Sequence, residues 1–224
     1  MYRTIKSFVL RAGRVSPRQQ LALDEWLVNY ELPAPGNKWD LTAAFGRSAD
    51  TVLEIGFGMG GSLIAMAKAA PEMNYIGVEV HRAGIGSLVA DLHDEHIQNV
   101  RIATHDAVEV LKTCIDDASL TGVQIFFPDP WPKLRHQKRR LVQPEFIQLL
   151  VQKIKPGGFI HCATDWEDYA QQMMSVLTAS TKLTNTQPEG GFLPRPSFRP
   201  LTKFEHRGNQ LGHGVWDLMF VRLA

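Results

Sequence analysis

TVLEIGFGMGG (residues 51–61) decides the fold of this chain. Val52, Leu53 and Ile55 form an apolar run that carries one acid, Glu54, and gives way to glycines at 56, 58, 60 and 61; the helix-forming SLIAMAKAA (62–70) follows. The pattern predicts a buried strand, a tight turn and a helix. Glycines allow the turn to adopt positive φ and to approach a ligand closely, and the unpaired amides of the new helix face the same place. A cofactor is expected there.

Two cofactor classes compete for that turn. Gly56, Gly58 and Gly61 satisfy G-x-G-x-x-G, in which a pyrophosphate sits on the helix N-terminus. A carboxylate at Glu54 repels a pyrophosphate but suits the cationic sulfonium and α-amino group of S-adenosylmethionine, so the methyl donor is favoured. A structural glycine turn without a ligand is the third reading.

Downstream of the turn the chain alternates. Strands are expected over 74–80, 99–104, 123–127 and 157–164, and helices over 82–96, 107–114, 144–153 and 166–179. Such alternation means a parallel sheet covered on both faces. A Pro-rich loop, FLPRPSFRP, then precedes a final strand near VWDLMFVRL, expected to pair antiparallel at the sheet edge. Upstream, residues 1–48 read as a basic extension with a helix over 17–29 and a Pro/Gly loop, packed on a main domain of residues 49–224.

Ligands of open α/β sheets lie beyond the carboxyl ends of the strands. Acids occupy four of those ends: Glu54, Glu79, Asp106 and Asp129. A carboxylate after the second strand can accept both ribose hydroxyls, and one after the third can face an adenine amino group; Asp106 could equally be a helix N-cap. Asp129 sits in FFPDPWPKLRHQKRR (126–140), a loop stiffened by Pro128, Pro130 and Pro132. Trp131 within it is either a stacking surface for a base or a plug beneath the loop.

Composition bounds the rest. The chain has 224 residues, 44% of them hydrophobic, and a formal charge of +1, which fits one globular domain with a sizeable core. No apolar run reaches the ~18 residues of a membrane span and the start lacks a signal-peptide pattern, so a cytoplasmic protein is expected. Cys114 and Cys162 lack C-x-x-C spacing and are expected to be buried and reduced. The small net charge hides two acid-free basic clusters, Arg3, Lys6, Arg11, Arg14 and Arg18, then Lys133, Arg135, Lys138, Arg139 and Arg140. Each could meet a polyanion or be a solvated face. His93 and His96 on an acidic helix read as surface residues, and no metal site is expected.

LEIGFGMG, GVEVH, HDAVEVL, FFPDPWPK, RHQKRR, ATDWEDYA, RPLTKFEHRG and GHGVWDLMF, with SFVLRAGR near the start, resemble in order and spacing the bacterial tRNA (guanine-N7-)-methyltransferase family. The likeness covers nearly the whole chain; Pro132 stands where a His is common, and any longer leader is expected to be absent. The resemblance implies a Rossmann-like class I methyltransferase fold, with a mostly parallel seven-stranded sheet and an antiparallel edge strand. It also implies methyl transfer from S-adenosylmethionine to N7 of a guanine in the variable loop of tRNA, with no metal. By matched position Glu54, Gly56, Gly58, Glu79, Asp106 and Asp129 would contact the cofactor, Asp129 being the catalytic residue as well. Lys133, Asp165, Thr202, Lys203, Phe204 and Glu205 match substrate contacts, and Arg135, His136, Gln137, Lys138, Arg139 and Arg140 match an RNA-interacting stretch. No obligate protein partner is evident, and monomer and homodimer are both open.

Three rivals give different expectations. A DNA exocyclic-amine methyltransferase needs a second proline where Trp131 stands, a silent RNA-binding module would lose the strand-end acids, and a dehydrogenase leaves PDPWPKLRHQKRR without a use.

Overall fold

The computed structural model describes Phe8, residues 13–201, Glu205 and residues 214–224. Seven strands form one sheet in the order β3-β2-β1-β4-β5-β7-β6. They are β1 (Thr51–Ile55), β2 (Asn74–Val78), β3 (Val100–Ala103), β4 (Leu120–Phe126), β5 (Ile154–Thr164), β6 (Leu183–Asn185) and β7 (Trp216–Arg222). The first five pair in parallel; β7 runs antiparallel to β5, as its sequence predicts, and short β6 pairs antiparallel outside it.

Helices α3 (Gly61–Ala69) and α4 (Arg82–Asp94) cover one face, and α5 (Ala107–Thr113), α6 (Pro144–Lys153) and α7 (Glu167–Thr178) the other. Strand alternation divides the core between the two faces. Leu53 and Ile55 of β1 join the α5–α7 side, whereas Val52 joins the α3–α4 side. Every residue of β1 and β2 is buried, which a parallel sheet sandwiched between helices requires. Glu54 is therefore a carboxylate placed inside a core by its register.

Residues 17–32 lie against α4 and β3. Helix α1 (Pro17–Leu21) starts in a capping box between Ser16 and Gln19 and continues as a π turn over Ala22–Trp26 and a 3-10 turn over Leu27–Asn29. Arg18 reaches Asp91 and Asp94 of α4 at 2.8 and 2.6 Å, and Trp26 stacks on His93 with centroids 3.8 Å apart. Backbone bonds from Leu32 N–H to Ile102 O and from Ile102 N–H to Tyr30 O tie the segment to the β3 edge. A short helix absent from the sequence expectation, α2 (Leu41–Phe45), follows, capped by Asp40.

The first elements expected from sequence are all present. The strand expected over 74–80 stops at Val78; the Glu79 N–H still bonds Ala103 O, and the next two amides, Val80 and His81, turn to the Glu79 carboxylate instead of a neighbouring strand. The described residues contain no helix long and apolar enough to cross a membrane. Cys114 and Cys162 are buried and unpaired.

Candidate active site

The strand order reverses between β1 and β4, so the sheet opens a crevice at their carboxyl ends. The glycine turn follows β1 at this end of the sheet. Gly56 and Gly58 have φ of 74° and 58°, and a Cβ on either would meet no protein atom within 4 Å. The first turn of α4 closes on the loop so tightly that a Cβ on Gly84 would lie 2.1 Å from the Gly58 carbonyl oxygen. Gly84 is a residue that the sequence reading missed; a glycine inside a helical pattern was the available signal.

Two acids converge on this turn. Glu79 accepts bonds from the backbone N–H of Gly58 at 3.0 Å, Val80 at 2.7 Å and His81 at 3.0 Å. Glu54 is buried; its Oε1 accepts from Ser62 Oγ at 2.6 Å, and its Oε2 has no partner among the described residues. Burial pushes the Glu54 carboxyl up to about 7, with the Glu79 charge adding to it and the Ser62 bond opposing. An orphaned buried carboxylate oxygen beside an open glycine turn fits a cationic ligand, since an anionic pyrophosphate would meet the wrong charge. The residues present thus fit S-adenosylmethionine. Asp106 is half-buried after β3 and caps α5, with Oδ1 accepting from Val108 N–H at 2.8 Å.

The raised Glu54 value has a checkable sign. The folded protein holds more protons than the unfolded chain between pH 4.5 and about 7. Stability from this group is therefore full below that window and falls as pH rises through it. Unfolding of the ligand-free protein should lose on the order of 3 kcal/mol across the window from this group, and Glu54→Gln should remove that slope. Parallel denaturation profiles for wild type and Glu54→Gln would refute it.

Asp129 is exposed at the end of β4, in a loop held in an uncommon conformation. Phe127 and Trp131, on either side of it, take φ of 50° and 45°. Bulky residues in that region are strained by roughly 1–3 kcal/mol each and persist only where surroundings over-determine them. Those surroundings are identifiable. Phe127 N–H bonds Ala163 O at 2.8 Å and its ring lies 5.8 Å from the Arg199 guanidinium carbon. Trp131 packs edge-on to His136 and carries Arg139 at 5.1 Å from its centroid.

The basic segment forms a 3-10 turn over Leu134–Arg139. Lys133, Arg135 and Lys138 are exposed, and His136, Gln137 and Arg139 half-buried. Desolvation and the surrounding cations Arg135, Arg139, Lys133 and Lys138 hold His136 below the usual imidazole range, which favours its neutral form. The side chain of Arg140 is 1% exposed and is bonded to Pro130, Gln172 and Asp168.

Glu205, matched by the resemblance to a substrate contact, is buried. Both of its carboxylate oxygens accept from the fully buried Arg199, at 2.6 and 3.1 Å. Arg199 also forks onto Asp217 of β7 at 2.7 and 2.8 Å, and His161 Nε2 of β5 lies 2.8 Å from the same carboxylate. Burial alone would lower the Arg199 pKa; the bonds to Glu205 and Asp217 outweigh it, and the net shift is upward. The sequence carried a signal for this cluster, an Asp inside the apolar run of β7. Asp165 is half-buried just past the end of β5, and Thr202, Lys203 and Phe204 lie outside the described residues. Among the described residues no three His, Cys, Asp or Glu side chains group as a metal site.

Comparison with known proteins identifies the fold and the family. The family model Methyltransf_4, described as "Putative methyltransferase", matches residues 48–218. A tRNA (guanine-N(7)-)-methyltransferase of Legionella pneumophila (strain Paris) is 63% identical over 99% of this chain and 94% of its own length. Among solved structures, the 16S rRNA methyltransferase KamB superposes with a TM-score of 0.61 at 14% identity, over 84% of this chain and 96% of that one. A Haemonchus contortus phosphoethanolamine N-methyltransferase 2, solved with S-adenosyl-L-methionine, gives 0.50 at 15% identity over 95% of this chain and 61% of its own. The two structures share the fold, and the end-to-end identity settles the family: this chain belongs to the tRNA (guanine-N(7)-)-methyltransferases.

Proposed function

We propose that this protein methylates N7 of a guanine in the variable loop of tRNA, forming 7-methylguanosine in the cytoplasm with S-adenosylmethionine as methyl donor. The observation that carries this reading is the strained loop that presents Asp129 beyond β4, a strand paired in parallel with β1, which carries Glu54 with its unpaired oxygen and leads into the glycine turn. Glu54 supplies a negative contact for the donor's cationic end, Glu79 an acceptor for ribose hydroxyls, Asp106 one for the adenine amino group, and the amides around Gly56 and Gly58 a close backbone approach. When bound, the donor supplies a methyl group activated by its sulfonium charge.

Guanine N7 has a lone pair and no proton, so the chain needs neither a general base nor a nucleophile. The thiols agree with this: Cys162 is buried, and burial with the nearby Asp217 pushes it up to about 12. What remains for the protein is positioning and charge. Asp129 stabilises the positive charge that develops on the purine, which favours the transition state over the ground state. Lys133, Asp165 and the Thr202, Lys203 and Phe204 run hold the nucleotide, while Arg135, His136, Gln137, Lys138 and Arg139 meet the RNA backbone.

Transfer of labelled methyl to unmodified tRNA, followed by nucleoside analysis, tests the reading. Label as 7-methylguanosine in wild-type tRNA, and none in a tRNA whose variable-loop guanine is changed to adenine, is the expected result. Tight tRNA binding without label, or label at another atom, would overturn it. For the backbone contacts, Arg135→Gln and Lys138→Gln should each reduce the slope of log affinity against log salt by about 1. An unchanged slope would remove that residue from the interface.

A further inference from the structure

Arg140 closes the basic run RHQKRR yet turns away from its neighbours. Its Nε donates to the Pro130 carbonyl at 2.8 Å, Nη1 to Gln172 Oε1 at 2.6 Å and Nη2 to Asp168 Oδ2 at 2.5 Å. The guanidinium also lies over the Tyr169 ring, 4.7 Å from its centroid. Asp168, Tyr169 and Gln172 all belong to α7, which β5 and the core hold in place. Tyr169 is fully buried and its hydroxyl accepts from Val142 N–H at 3.0 Å, so the surface beneath the guanidinium is rigid. Pro130 follows Asp129 directly and precedes Trp131, which with Phe127 brackets this loop at positive φ.

We infer that Arg140 is a positioning residue, a clamp that ties the Asp129 loop to α7, and not a contact to RNA. The inference deepens the proposed methyl transfer and rests on it for the meaning of Asp129. The chemistry of the clamp requires an arginine. A planar guanidinium can donate to a main-chain carbonyl and to two side chains while stacking on an aromatic face, whereas an ammonium is a single point charge on a flexible stem. The loop around Asp129 is strained, and a strained loop relaxes when one of its ties is cut. The Asp168 partner is 63% exposed, so the ion pair contributes less to the clamp than the Pro130 and Gln172 bonds made by the same group.

The test separates a clamp from a phosphate contact by keeping the charge. Arg140→Lys should lower the single-turnover rate about 10- to 100-fold at saturating tRNA and donor, the range expected for a misplaced reactive group. Its tRNA affinity and salt slope should stay within twofold of wild type. Gln172→Leu, which removes one of the clamp's ties to α7 and leaves every charge of the basic segment in place, should lower the same rate in the same direction. Hydrogen exchange of residues 127–134 in the protein alone should accelerate in both variants. A reduced salt slope for Arg140→Lys or Arg140→Gln with unaltered exchange in that segment would overturn the clamp and return Arg140 to the RNA interface. A wild-type protein that fails to methylate tRNA, while both variants still show faster exchange at 127–134, would refute the proposed reaction and leave the clamp standing. Should Arg140→Lys not fold, Gln172→Leu with its exchange and rate carries the decision alone: no change in either overturns the clamp.

Discussion

Arg199→Met is expected to destabilise the fold by about 3–5 kcal/mol, because it strands two buried carboxylates around one missing cation. The side chain of Arg199 has no exposed surface and is the largest fully buried one among the described residues; it forks onto Asp217 and spans both oxygens of Glu205. Removing one partner from such a cluster leaves uncompensated charge in the core, which is far more damaging than replacing the whole cluster by apolar groups. The triple variant Arg199→Met, Asp217→Leu, Glu205→Met should therefore recover a large part of the lost stability. Chemical denaturation of the three proteins decides the matter: a loss below about 1 kcal/mol in Arg199→Met would show that the cluster is not what holds this corner.

That corner bears on the reaction as well. Arg199 lies against Phe127, whose positive φ starts the Asp129 loop, and Glu205 follows Thr202, Lys203 and Phe204 directly in sequence. Partial loss of the cluster should lower activity before it unfolds the protein.

Asp129→Asn is expected to reduce single-turnover methyl transfer by roughly 10²- to 10³-fold, the range seen when one preorganised electrostatic group is removed from an active site. The substitution keeps the shape and one acceptor oxygen but deletes the charge. If the carboxylate acts on the purine cation as it forms, the rate falls while tRNA affinity stays near wild type, since the ground-state purine is uncharged. Equal losses in affinity and in rate would instead mean that Asp129 holds the substrate. Wild-type transfer with unchanged donor affinity would refute the electrostatic role altogether.

Much of this was legible along the chain. The β1–turn–α3 unit could be read because its apolar run, its glycines and its helix formers each obey a local rule, and the strand-end acids followed because parallel sheets collect ligands at carboxyl ends. Glu54 and Glu79 accordingly lie at the glycine turn, and Asp106 and Asp129 follow the neighbouring strands. The elements that escaped were short: β6 has three residues and α2 five, too few for a period to show.

Local chemistry and composition determined the layered α/β fold, the cofactor turn and the identity of the loop that presents Asp129. Only the tertiary structure decided which charges face inward. Arg140 and Arg139 are adjacent and chemically alike, yet one is bolted to Asp168, Gln172 and Pro130 while the other lies over Trp131. Glu205, matched by resemblance to a substrate contact, is bonded through both carboxylate oxygens to Arg199. Burial of a charge depends on partners supplied by distant segments, here α7 for Arg140 and β7 for Arg199, and no spacing rule within a short stretch encodes where those segments come to rest.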